Sequence, residues 1–90
     1  MKREVEIVPE EGLHARPASK FVETANQFDC DLKVGKQGEE PVDARSMLSV
    51  TGLGAAQGDI VELIAEGDDA EEALDALEKV LTTPEDEYAD

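Results

Sequence analysis

The chain contains one histidine, His14, and the residues around it suit phosphoryl chemistry. Arg16 follows two positions later, with Pro17 directly after it. Pro17 fits the first turn of a helix, where a missing N–H is no loss and φ is already set. Gly12 permits a turn just ahead. The order Gly12-Leu13-His14-Ala15-Arg16-Pro17-Ala18-Ser19 therefore puts an imidazole at the mouth of a helix, among backbone N–H groups with no intrahelical partner. Such a mouth attracts anions, phosphate in particular. Arg16 adds a planar cation that can hold two phosphate oxygens at once. A neutral ring nitrogen is a nucleophile near neutral pH. The helix end and the guanidinium would stabilise a dianionic group once it is attached. Together these residues read as a histidine that accepts a phosphoryl group and hands it on. The plainer alternative is a turn histidine beside a surface arginine. The full ordering, with an amphipathic helix behind it, weighs against that.

Positioning such a histidine takes a strand before it and a helix after it. Residues 2–8 alternate, with Val5 and Ile7 marking a half-buried strand. Residues 9–12 form the loop that delivers His14. Beyond Arg16, the residues Ala18, Phe21, Val22, Ala25 and Phe28 recur at helical spacing and predict a core-facing stripe. Cys30, Leu32 and Val34 alternate with charged residues, giving a second strand. Cys30 itself reads as a small buried hydrophobe. Residues 35–38 predict a turn, and residues 40–44 a short third strand held to an edge by Pro41.

Ser46 is a natural N-cap for a helix over 47–51, which Gly52 and Gly54 would end. Met47, Leu48 and Leu53 are more apolar side chains than so short a helix can bury. They are either core or a patch for docking a partner. Ile60–Glu66 is the strongest strand pattern, with Val61, Leu63 and Ala65 inward. Asp68 and Glu71 have capping-box spacing ahead of an amphipathic helix that Pro84 stops. The order βαββαβα predicts one sheet with helices packed on one face. Right-handed crossovers put strands 1 and 4 in the middle region and the Pro41 strand outside. Residues 1–84 make one domain, and 85–90 an acidic, frayed tail.

Composition narrows the class. Ninety residues, 40% hydrophobic and 3% aromatic, support one thin core. The net charge is −15, from 23 acidic and 8 basic residues. No basic stripe exists to displace counterions from nucleic acid, and an anionic membrane would repel the chain. The acid excess reads as adaptation to a salty cytoplasm rather than ordinary acidity. Screening over about 3 Å in molar salt would remove the self-repulsion. The single cysteine allows no internal disulfide. No signal-like run is found at the N-terminus, and no segment approaches the ~20 apolar residues of a membrane span. A soluble, cytoplasmic protein is expected.

Gly12-Leu13-His14-Ala15-Arg16-Pro17-Ala18 resembles the phosphorylation-site motif of the HPr family. These are the histidine-containing phosphocarrier proteins of the phosphoenolpyruvate-dependent sugar phosphotransferase system. Arg45-Ser46-Met47-Leu48-Ser49-Val50-Thr51-Gly52-Leu53-Gly54 is similar to the family's regulatory-serine segment and the short helix after it. The likeness covers nearly the whole chain. It implies an α+β fold, an open-faced β-sandwich whose four-stranded antiparallel sheet runs 1-4-2-3 under three helices.

The resemblance also implies a relay. Enzyme I, charged by phosphoenolpyruvate, would phosphorylate His14 on Nδ1. Arg16 and the backbone of Ala15, Arg16 and Ala18 would steady the group. His14 would then pass it to a sugar-specific enzyme IIA. On this reading the chain is a carrier and not an enzyme, a monomer that needs no metal and no cofactor beyond the phosphoryl group. Met47, Leu48, Thr51 and Leu53 would dock the partners. Ser46 matches a serine that a dedicated kinase modifies in some members, although capping alone accounts for it.

The chain departs from the family pattern in two places. Glu11 stands before Gly12, and Glu23 and Gln27 occupy the helix face where basic residues often meet acidic partners. Steering by opposite charge is therefore weak. Three other readings stand beside the relay. One is a paralogue in a regulatory or dihydroxyacetone-kinase relay, and another a non-phosphorylated binding module using residues 47–53. The third is a hydrolase using His14 with Cys30 or a serine; the histidine has no partner at suitable spacing, and Cys30 reads as core.

Overall fold

Alternation in the strands and 3.6-residue periodicity in the helices divide the chain into seven elements. The computed structural model describes residues 1–84 and Glu87. In order they are β1 (Lys2–Glu6), α1 (Ala15–Ala25), β2 (Asp31–Lys36), β3 (Val42–Asp43), α2 (Met47–Gly52), β4 (Ile60–Glu66) and α3 (Ala70–Thr82). The strands form one antiparallel sheet ordered β1-β4-β2-β3. This is the α+β open-faced sandwich that the resemblance implied.

Val5 pairs with Val61, Val34 with Leu63 and Leu32 with Ala65, so the inward residues of three strands meet on one face. All six are buried beneath the helices. Phe21 of α1 and Leu74, Leu77 and Leu81 of α3 complete the core. Each buried leucine contributes about 2 kcal/mol, so the helices are held by packing and not by propensity. Arg3 faces Leu63 on the inner side of the edge strand. Its guanidinium reaches Asp75 at 2.6 Å and Glu78 at 2.9 Å, closing that margin of the core under α3.

Handedness placed strands 1 and 4 together in the middle, and there the structure differs. β1 is an edge strand, and β4 and β2 are central. The right-handed rule fixes the hand of a crossover but leaves open whether another strand fills the slot between its ends. Here β4 fills the slot between the parallel strands β1 and β2. The expected turn at 35–38 begins later, because Gly35 and Lys36 still pair with Glu62 and Val61. A Cβ on Gly35 would lie 2.9 Å from the Pro41 Cα, so the returning chain crosses directly over it. That crossing, with a proline beside it, leaves β3 only two residues long instead of the expected five.

Three smaller expectations also change. α1 ends at Ala25, so Phe28 packs against the core from the loop beyond it. β1 stops at Glu6 because the next two N–H groups turn to other partners, Ile7 to the Asp59 carbonyl and Val8 to that of Leu81. The capping box at Asp68 and Glu71 does not form: the N-cap of α3 is Asp69, without a side-chain cap bond. Its carboxylate instead accepts the Asp29 N–H at 3.2 Å. The acidic tail predicted over 85–90 lies outside the described residues except for Glu87. Among the described residues no helix is long and apolar enough to cross a membrane.

Candidate functional site

Two anchors fix the loop that carries His14. Gly12 turns back on Pro9 through an N–H···O=C bond of 2.9 Å. Leu13 is fully buried, and its N–H donates to the Ala55 carbonyl at 2.9 Å. Gly12 has φ +71, and a Cβ there would sit 2.5 Å from that same carbonyl oxygen. Only glycine suits this position, on both counts. The chain then emerges abruptly, from the buried Leu13 to the exposed His14.

His14 is the N-cap of α1, with extended backbone (φ −135, ψ 168) and no side-chain capping bond. Its carbonyl accepts the Ala18 N–H at 3.3 Å, so the ring is not needed to start the helix. Ala15 has φ +49, the only left-handed backbone outside glycine among the described residues. Such a residue stores about 1–3 kcal/mol, and a small side chain keeps that near the low end. Arg16 is exposed, whereas Pro17 and Ala18 are buried and pin the first turn to the core. The structure thus brings His14, Ala15 and Arg16 to one accessible edge. The Ala18 N–H, also expected to steady phosphate, is already donated to His14 and would have to be shared.

The second motif lies next door. α1 and α2 pack on each other, and the loop after α2 supplies the Ala55 carbonyl that holds Leu13. Ser46 is the N-cap of α2, its Oγ accepting the Ser49 N–H at 3.2 Å. Val50 alone of this helix is fully buried. The structure splits the apolar trio: Met47 is 41% and Leu48 84% exposed, whereas Leu53 packs against the core. The Thr51 hydroxyl donates back along its own helix to the Met47 and Leu48 carbonyls, at 2.9 and 3.2 Å.

Cys30 is core, as its alternating pattern suggested. Burial pushes its thiol pKa up, aided by a hydrogen bond to Asp69. The same bond, with the Asp29 N–H, holds the Asp69 carboxyl below its usual value. Arg45 donates to the Phe28 and Cys30 carbonyls at 2.5 and 2.8 Å, tying the start of β2 to the approach to α2. Sequence spacing carried no sign of this cluster, because its members come from three separate loops.

The family model described as the PTS HPr component phosphorylation site matches residues 1–83. The chain belongs to the HPr family. It is 64% identical over 86 residues to the phosphocarrier protein HPr of Haloferax volcanii, covering 94% of this chain and 97% of that one. That relative agrees with the salt-adapted reading of the charge. Among solved structures, HPr from Thermoanaerobacter tengcongensis superposes with a TM-score of 0.85 at 43% identity, covering 90% of each chain. An HPr dimer from the same organism gives 0.66 at 48% identity, covering 81% of this chain and 83% of that one. HPr proteins are phosphocarriers.

Proposed function

We propose that His14 accepts a phosphoryl group from phospho-enzyme I and passes it to a sugar-specific enzyme IIA. The observation that carries this reading is the placement of His14: exposed, at the N-cap of α1, with a ring that makes no capping bond, two residues before the exposed Arg16. In the forward step the Nδ1 lone pair attacks phosphorus in line. The P–N bond to the donor histidine breaks as the new one forms, and the imidazole becomes a phosphoimidazole. The second step repeats this in the other direction, with His14 as leaving group. Positioning and charge stabilisation supply the catalysis. Arg16 and the N–H groups of the first turn face the phosphoryl oxygens, and the partners supply the rest of the site.

Met47 and Leu48 are the docking residues, with Thr51 shaping the helix beneath them. Leu53 serves the core first. Charge supports this assignment. In a chain with 23 acidic residues, the two stretches 12–22 and 44–58 contain none. A partner with an acidic coat of its own can therefore approach this face without carboxylate meeting carboxylate. Ser46 works as a helix cap. A kinase acting on it would place a dianion beside Met47 and Leu48 and oppose docking.

Incubation with phosphoenolpyruvate and a cognate enzyme I in molar potassium chloride tests the reading. The expected product is the intact mass plus one phosphoryl group, acid-labile and base-stable, and absent from His14→Ala. Persistence of the adduct in that variant would move the acceptor elsewhere.

A further inference from the structure

The loop between α2 and β4 holds one peptide group from several sides. The Ala55 carbonyl accepts the Leu13 N–H at 2.9 Å. The N–H of that same peptide unit belongs to Ala56, and it donates to Oδ2 of Asp59 at 2.9 Å. Gly12 packs on this unit, its missing Cβ leaving room for the Ala55 oxygen at 2.5 Å and the Ala56 Cα at 2.8 Å. Asp59 is itself clamped. Its N–H donates to the Ala56 carbonyl at 3.0 Å, and its own carbonyl accepts the Ile7 N–H at 2.9 Å. Gly58 N–H returns to the Ile7 carbonyl at 2.8 Å, and the Gln57 amide reaches the Val8 carbonyl at 3.0 Å. The loop over residues 55–59 therefore grips the His14 segment at both ends, at Ile7 and Val8 and again at Leu13.

We infer that Asp59 is a positioning residue for His14, acting through the Ala55–Ala56 peptide. A charged acceptor on the N–H end fixes the plane of that peptide and polarises its carbonyl. The carbonyl then sets the height and direction of Leu13, and the next residue is the acceptor histidine. In-line transfer tolerates little error, since a misplacement of about 1 Å costs roughly 10²-fold. Asp59 makes no contact with the phosphoryl group. Lys36 Nζ lies 3.9 Å from the same Oδ2, beyond hydrogen-bond distance, so the Ala56 N–H is the closer partner of that oxygen.

This inference rests on the proposed phosphoryl acceptance, and the test keeps the two apart. Asp59→Ala, Asp59→Asn and Lys36→Ala are compared with the unaltered chain in molar potassium chloride. Turnover and KM with enzyme I are measured, together with the NMR resonances of the His14 ring. Asp59→Ala is expected to lower turnover about tenfold with KM within about twofold, and to shift the ring resonances. Asp59→Asn keeps an oxygen for the Ala56 N–H and is expected to restore both, although it loses the Lys36 pair. Lys36→Ala is expected to leave both unchanged. Where Asp59→Ala does not fold, Asp59→Leu removes the acceptor while filling the space. Unaltered turnover in a folded Ala or Leu variant overturns the inference. So does an Asn variant as poor as the alanine one. If the unaltered chain accepts no phosphoryl group, the proposed function fails, and the ring resonances alone decide the positioning claim in the same way.

Discussion

Around His14, residues 12–22 and 44–58 carry no carboxylate, whereas the outer face of the sheet sets carboxylates against each other. Glu4 lies directly opposite Glu62, and Asp31 opposite Glu66. Like charges in that geometry destabilise by up to about 1 kcal/mol in dilute buffer. One region has no carboxylate along these two stretches and leaves Leu48 in water. The other is loaded with acid. The acid excess is therefore not spread evenly by composition. It is absent from the stretches that carry His14, Met47 and Leu48.

Several substitutions break or sharpen this contrast. The largest effect is expected at Gly12→Ala, whose Cβ would collide with the Ala55 carbonyl at a left-handed φ. It should cost about 3 kcal/mol in urea unfolding, combining overpacking with backbone strain. Next comes Leu48→Glu, which puts a carboxylate in the clear window. It should raise KM with enzyme I about tenfold, near 1.4 kcal/mol, and leave the melting temperature unchanged, since Leu48 is 84% exposed. An equal KM would show that the window is not the contact surface.

Asp69 offers a smaller, pH-dependent effect. Its folded pKa lies below the ordinary value because the Cys30 thiol and the Asp29 N–H both donate to the ionised carboxylate. That stabilisation is full above the unfolded pKa of about 4 and is lost as pH falls through the folded value. Asp69→Asn should therefore be less stable than the unaltered chain at pH 7, with the gap closing in acid, as read by urea melts across that range. The smallest effect belongs to Glu66→Lys, which replaces a repulsive cross-strand pair with Asp31 by an attractive one. It should add about 0.5 kcal/mol in dilute buffer and almost nothing in molar salt. The unaltered chain should itself melt higher in molar potassium chloride than in dilute buffer.

Much of this was legible in the residues. Ile60–Glu66 has the expected bounds, because strict alternation bracketed by turns leaves few alternatives. Ser46 caps α2 as its residue type suggests. Gly12 and Pro17 frame His14 because each is chosen by backbone geometry that is local in sequence. What was not legible depends on partners distant in the chain. The slot taken by β4 between β1 and β2, the diversion of Asp69 to Asp29, and the grip of residues 55–59 on Leu13 join segments 25 or more residues apart. The left-handed Ala15 escaped notice for another reason: alanine gives no hint of positive φ.

The central claim is most directly tested on the ring itself. A long-range proton–nitrogen spectrum of the His14 imidazole is recorded before and after phosphoryl transfer from phosphoenolpyruvate through enzyme I. The account predicts a large shift at Nδ1, with coupling to phosphorus, that reverses when a sugar-specific enzyme IIA is added. A ring spectrum unchanged while the protein gains a phosphoryl group would contradict it.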